Sequence, residues 1–450
     1  MYRKLIILSF LFLTACSTYQ EKNITYQKVL FSNNCNDTFL KEQMQELNQN
    51  KDVIFVGLNS GYIARDCMKF KLSNEFFDKV EHSYKYDVDL QSFSTKSTQF
   101  IGKTLINDTI SDYEGSWYER TMVNVYKGLN FMSLKDFENA RVEFNRALMR
   151  QEKAKEYFEN EIKQQIEQAK KNENYKQNIK ENIQVIEKQY NHLFDDFNAQ
   201  KNYTNPYITY ISSVFFFMDK DYKKAYDLLK EVYIIFNKNE EIDKEFKIFE
   251  KYSNSLTPSK LKKYIFIVYE NGLSPSLDSF DLTLPFIFEN KVVNTSISFP
   301  TLKKRNASFE YLKAKNLNDD FKKTQNLFNF DQVVASEFQA TLTPKIIKAL
   351  LSGAIKTGIN LTIAKNDSSG VLNLASNIFT ILTTKSDLRF WNFLPKNAQI
   401  IMLENDGFIE IYNDNNMEIF HQDLDKNKNI LILIRSFSKE FPARIYKMEH

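Results

Sequence analysis

The sequence predicts an α+β multidomain protein: an N-terminal all-helical half made of repeats and one long helical hairpin, then a C-terminal, mainly antiparallel sheet with inserted helices. Three observations carry this reading. Between residues 37 and 255 glycine is scarce, Pro206 is the sole proline, and apolar residues recur at helical spacing. Within that half a small-plus-aromatic pattern occurs more than once. After Ser253-Asn254-Ser255 and Pro258 the composition shifts to short runs of β-branched and aromatic residues.

The repeat is clearest in Gly128-x-x-Phe131, followed by Asp136-Phe137-x-x-Ala140-x-x-x-Phe144-x-x-Ala147, which sets small and aromatic residues at tetratricopeptide offsets. Gly128 and Ala140 are small where two antiparallel helices should touch. Phe131 and Phe144 fill the space beside that contact, and Ala147 admits the next helix. A second copy runs from Ser213 and Phe216 through Asp221-Tyr222 and Ala225 to Leu229 and Val232, and a weaker one joins Gly61 to Ser73, Phe77 and Val80. The first two lie further apart than one repeat, and the insert reads as a long hairpin over residues 148–200. Phe158, Ile162, Ile166 and Ala169 form one stripe, and Tyr175, Ile179, Ile183, Ile186 and Tyr190 another. That pattern predicts a projection that is polar outside and zipped along its own seam.

The domain over residues 256–450 opens on Tyr264-Ile265-Phe266-Ile267-Val268-Tyr269, a buried-strand run. Strands are also expected at 282–288, 292–299, 307–311, 398–403, 408–412 and 430–434. A helical stretch over 331–383 lies between the early and late ones, broken at Asn366-Asp367-Ser368-Ser369-Gly370.

The N-terminus carries an export signal. Arg3 and Lys4 precede an apolar run over residues 5–13, too short to span a bilayer stably. It ends in Leu13-Thr14-Ala15-Cys16, which resembles the bacterial lipobox, so residues 1–15 are expected to be cleaved and the Cys16 thiol acylated. Ser17, where aspartate would signal inner-membrane retention, points to the outer membrane of a two-membrane cell, with the protein lipid-anchored in the periplasm. Residues 16–36, polar and rich in Asn and Thr, read as a tether. With Cys16 modified, Cys35 and Cys67 are an even pair in an oxidising compartment, and a disulfide between them is expected.

The order of parts resembles a little-characterised family of bacterial lipoproteins with tetratricopeptide-like helices and a C-terminal β-rich domain. Three stretches carry the likeness: Trp117-Tyr118-Glu119-Arg120 with the segment 126–150, Tyr269-Glu270-Asn271-Gly272-Leu273-Ser274-Pro275 with Leu284-Pro285, and Ser386-Asp387-Leu388-Arg389-Phe390-Trp391-Asn392-Phe393-Leu394-Pro395. Residues 321–331 depart from it. The resemblance implies association with lipoproteins that activate cell-wall synthases, but no chemistry.

The chain holds 60 Lys and Arg against 57 Asp and Glu, and losing Arg3 and Lys4 with the leader leaves a net charge of about +1, which gives no ground for a nucleic-acid partner. His82, His192, His421 and His450 lack the spacing of a metal site, and no nucleophile elbow or P-loop occurs, so no metal, cofactor or catalytic set is expected. The most site-like cluster is Glu270, Asp387, Arg389 and Trp391, since arginine grips carboxylates and tryptophan anchors interfaces; the plainer expectation is Arg389 paired to Asp387 or Glu270 under the sheet. The leading functional expectation is a non-enzymatic envelope scaffold whose repeat groove binds a protein partner, in cell-wall synthesis or surface assembly. The alternative is a cell-wall hydrolase or glycan-binding protein using Glu270 and Asp387.

Overall fold

The computed structural model describes residues 18–32, 35–84, 113–170, 180–197, 205–258, 261–288, 291–366 and 386–450. The leader, Cys16, the stripe residues Tyr175 and Ile179, and the second apolar segment expected before residue 383 lie outside them.

The helical half begins with α1 (Thr18–Phe31) and α2 (Asp37–Asn48). The sequence reading of residues 16–36 as a tether is thus wrong for most of its length. Polar Asn and Thr give α1 the composition of a linker, yet Asn23, Tyr26 and Leu30 recur on one face of that helix and are buried. The Cys35–Cys67 disulfide is formed and joins the segment after α1 to the end of α3 (Val53–Asp66). Closing a sequence separation of 32 residues is worth about 3–4 kcal/mol in chain entropy.

Three helical hairpins follow: α3 with α4 (Phe70–Ser83), α5 (Trp117–Ser133) with α6 (Phe137–Glu156), and α9 (Pro206–Met218) with α10 (Tyr222–Phe236). They are the three repeats, including the faint one. Each turn has its left-handed residue at the same offset from Gly61, Gly128 or Ser213: Met68 at φ 56°, Lys135 at 61° and Lys220 at 64°. Each also closes with the same pair of bonds, such as Lys135 N–H to Met132 O at 3.0 Å and Asp136 N–H to Phe131 O at 2.9 Å, a Schellman stop. Asp136 and Asp221 then cap the second helix through Asn139 and Lys224 N–H. In the first repeat Lys69 holds that place without a side-chain cap, which is why its sequence signature is weak. Ala140, Phe144, Ala147 and Ala225 are fully buried, Phe131 partly so, and Phe144 stacks on Phe215 of the next hairpin at 4.6 Å.

The insert does not project freely. After α6 a π-helical turn (Tyr157–Glu161) leads into α7 (Ile162–Lys170), and α8 (Lys180–Phe197) follows. Ile183, Ile186 and Tyr190 of α8 pack on two strands, β2 (Ser276–Phe288) and β3 (Lys291–Lys303), and on a later helix, Phe330–Asn366. Tyr190 Oη donates to Pro300 O at 2.6 Å. The apolar seam that sequence reading assigned to self-zipping is used against the C-terminal half.

A last helix of the helical half, α11 (Glu240–Ser253), leads to β1 (Tyr264–Asn271). Then come β2 and β3, β4 (Leu312–Lys315), β5 (Lys322–Lys323), β6 (Gln325–Asn329), α12 (Phe330–Asn366), β7 (Asn397–Glu404), β8 (Phe408–Asn413), β9 (Glu418–Asp423), β10 (Ile430–Ser436) and β11 (Arg444–Glu449). The expected strand at 307–311 is instead a loop, and the strand begins at Leu312. The main sheet has order β11-β10-β1-β7-β6, antiparallel except for the parallel β1–β10 pair. A second sheet, β5-β4-β8-β9, covers one of its faces through Ile265, Ile267, Ile401, Ile432, Ile409 and Ile411. The helical repeats cover the other, through Phe266, Val268, Ile400, Met402, Leu431 and Leu433. Burial on both faces explains why β1 and β10 read as unbroken apolar runs, and β7 as one from Ile400 to Leu403. One core therefore spans both halves of the chain, across the boundary expected at residue 255.

At Gly128 a Cβ would lie 2.8 Å from the Phe144 ring. Gly128→Val should therefore cost about 1–3 kcal/mol by overpacking, read as a lower urea midpoint with unchanged slope.

Candidate functional site

The first helix of each repeat is buried almost all round. Every residue of α9, from Pro206 to Met218, is buried, as are those from Ile54 to Asp66 in α3. In a free repeat stack these helices would line an open groove. Here the main sheet and the segment 386–396 occupy that side, and their polar groups gather in the seam between the two layers.

The register of the parallel pair sets Glu270 of β1 beside Arg435 of β10, both on the face turned to the helices. Glu270 accepts from Tyr207 Oη at 2.5 Å and from Tyr126 Oη at 3.3 Å, and lies 3.9 Å from Arg435 Nε. Arg435 donates to Tyr62 Oη at 3.0 Å and to the carbonyls of Glu270, Ser436 and Phe393 at 3.0–3.1 Å. Its guanidinium also lies 4.1 Å over Phe437. Burial opposes its charge, but Tyr62 and Glu270 outweigh that and hold its pKa above the usual arginine value. Sequence reading missed Arg435; the available signal was a lone arginine after the apolar run Ile430-Leu431-Ile432-Leu433-Ile434.

Trp391, 1% exposed, sits between the layers with its ring 5.6 Å from both Phe77 and Tyr126. Its backbone N–H donates to Glu119 Oε1 at 2.6 Å. Glu119 also accepts from Tyr113 Oη at 2.6 Å and from Ser116 N–H at 2.8 Å, closing the capping box of α5. Burial raises its pKa although those three donors oppose the shift. Asn392 donates to Asn23 Oδ1 of α1 at 2.7 Å and to Asn59 Oδ1 of α3 at 3.1 Å, so this segment stitches α1 and α3 to the sheet.

Arg389 is not joined to Glu270. It grips Asp387 through Nε and Nη2, at 2.9 and 2.7 Å, and Asp52 at the start of α3 through Nη1 at 2.7 Å. Tyr19 of α1 lies 4.8 Å beneath its guanidinium and donates its Oη to Asp52 Oδ2 at 2.8 Å. Burial works against the Arg389 charge, and the Asp387 bonds, with Asp52, reverse it and raise the pKa. The four residues nominated from sequence thus divide into two buried clusters with Trp391 between them. Glu270 is fully buried and bonded to Tyr207 and Tyr126, whereas Asp387, about one-fifth exposed, is paired with Arg389.

Beside this seam Glu337 of α12 accepts from Trp117 N–H at 2.6 Å and Tyr118 N–H at 3.0 Å, capping α5 from another element. It borders a small, half-open cavity lined by Trp117, Thr121, Gln151, Phe158 and Asn205, with about 20 Å³ of room for water. Among the described residues no cluster of His, Cys, Asp and Glu could hold a metal, and no helix is long and apolar enough to cross a membrane. Compared with protein-family models, with curated proteins and with solved structures, the chain matches none.

Removing one partner of the seam leaves the others buried and unsatisfied, so Arg435→Met should lower stability by about 3–5 kcal/mol in chemical denaturation. Glu337 gives a pH signature. Burial pushes its pKa from 4.5 up to about 7, against the two N–H donors. Over that interval the folded chain keeps a proton that the unfolded chain has released. Stability from this group is thus full below about pH 4.5 and falls as pH rises to 7, by on the order of 3 kcal/mol. Glu337→Gln retains an acceptor but cannot titrate, and should flatten that part of the profile in urea melts at pH 5 and pH 8.

Proposed function

We propose that this chain is a lipid-anchored scaffold of the bacterial cell envelope, acylated at Cys16, that works by holding protein partners and not by chemistry. The observation that carries the reading is the N-terminal sequence: a basic start, an apolar run of signal-peptide length, and Leu13-Thr14-Ala15-Cys16 at its end. The Cys35–Cys67 disulfide supports an oxidising compartment. Acylation with two or three chains is what makes such an anchor durable, because a single chain binds only marginally. The periplasmic face of an outer membrane is the location that Ser17 favours.

Partner binding through the concave side of the repeats does not suit this fold, because that side is packed on the chain's own sheet. The second helices of the repeats remain open. On α6, Val142 is 43% and Met149 63% exposed, and they share one face; on α10, Ile234 is 67% and Ile235 49% exposed. Apolar side chains displayed on such helices suit a protein partner, in line with the role in cell-wall synthesis or surface assembly that the lipoprotein resemblance implies.

The test is a crosslinking pull-down from intact cells with Met149→Glu and Ile234→Glu combined. Both side chains are exposed, so melting should not change. Capture of the native partner should fall at least about tenfold, the equivalent of 1.4 kcal/mol. Undiminished capture by the double variant would remove this surface from the reading.

A further inference from the structure

We infer that the corner of the fold around the first turn of α1 and the start of α3 lies directly on the membrane surface, against phospholipid head groups, so that the protein has a fixed seat and not a free tether. This rests on acylation of Cys16 as proposed above.

The argument begins with chain length. Ser17 alone separates Cys16 from Thr18, where α1 begins. Two Cα–Cα steps of 3.8 Å place the acylated cysteine within about 8 Å of the first helical residue. The acyl chains must reach hydrocarbon, and the polar layer outside it is only about 5–8 Å deep on each side of the bilayer. The start of α1 therefore cannot stand clear of the head groups.

Seating also requires that α1 be rigidly part of the fold, and it is held from end to end. Tyr19 Oη bonds Asp52 at 2.8 Å under the Arg389 guanidinium. Lys22 pairs with Glu46 at 3.1 Å, and Asn23 donates to Leu388 O at 2.9 Å. Tyr26 Oη donates to Gln43 at 2.7 Å, and Gln27 to Asn392 at 3.1 Å. Phe31 stacks on Phe441 at 4.5 Å, and the Cys35–Cys67 bond closes the segment. The cluster of Asp52, Asp387 and Arg389 is then a socket for the membrane-proximal turn, and its three charges act by positioning.

The exposed residues of this corner suit head groups and not hydrocarbon. Gln20 and Glu21 on α1, and Asn50 and Lys51 just before Asp52, are all polar and exposed. Opposite charges balance there, so the seat depends on the covalent anchor and not on anionic lipid. Lys223 of α10 and Lys247 of α11, on the last two helices of the helical half, are exposed and serve as references.

The experiment labels lysine amines on the full acylated protein in vesicles of phosphatidylethanolamine and phosphatidylglycerol, with a membrane-impermeant reagent and peptide mass readout. Two references are run beside it. One carries a Gly-Ser linker of about 20 residues between Ser17 and Thr18, with a mean span of about 25 Å; the other begins at Ser17, without leader or Cys16, and stays in solution. The expected result is labelling of Lys51 several-fold slower in the native chain than in both references, with Lys223 and Lys247 equal throughout. Equal labelling of Lys51 in native and linker chains, with the acyl mass present on the N-terminal peptide, would overturn the seat and leave the anchor standing. An N-terminal peptide without acyl mass would overturn both together.

Discussion

The structure depends on one constraint: the inner helices of the repeats are buried on almost every side, so each must be covered twice. Neighbouring helices cover one side of α3, α5 and α9, and the main sheet covers the other. Phe266, Val268, Leu431 and Leu433 come from a sheet that is itself buried on both faces. Neither half can expose its share of this contact to water at tolerable cost, given about 25 cal/mol for each Å² of apolar surface. The repeat architecture, built in other contexts to receive a partner, here receives its own C-terminal half.

Sealing such a contact traps backbone and side-chain polar groups, and the seam answers with charges matched to them. Arg435 serves three carbonyls and Tyr62 at once. Glu119 collects three donors, one of them from Trp391 in the opposite layer. A network of this kind adds little net stability over a well-packed apolar contact, but it penalises any other register of sheet on helices. The alternation of β1 sets Glu270 on the helix-facing side; a slip of one residue would turn it toward the second sheet and leave Arg435 alone.

Local rules made much of this legible. Helix spacing and the Gly128–Phe144 offset revealed the repeats, because one helix pair makes that contact within itself. Apolar runs revealed β1, β7, β8 and β10. What failed to show was whatever depends on distant partners. β11 alternates around Tyr446 and Met448 but carries Arg444, Lys447 and Glu449, and only pairing with β10 makes it a strand. The helix α1 has no strong amphipathic contrast, since Asn23 and Gln27 are on its inner side to meet Leu388 and Asn392, more than three hundred residues away. The hairpin seam looked self-sufficient because nothing local states that Phe286 and Phe299 will lie against it.

The segment Asp387-Leu388-Arg389-Phe390-Trp391-Asn392 carries chemistry that serves a binding site and an internal contact alike, and the expected Arg389–Asp387 pair is present. Arginine with flanking carboxylates, next to tryptophan and asparagine, is how a binding site is recognised, because each group offers strong, directional contacts. An internal docking strip needs those same contacts. Residues 386–396 carry little regular structure to satisfy their own backbone, so side chains from elsewhere must do it, and each of those bonds fixes an element in place: Asp52 and Asn59 of the α3 region, Asn23 of α1, Glu119 of α5. What distinguishes this strip from a site is that the Arg389 guanidinium, the Asn392 amide and the Trp391 backbone N–H are already answered by the chain itself, at the one place where the first helix, the helical repeats and the sheet must agree.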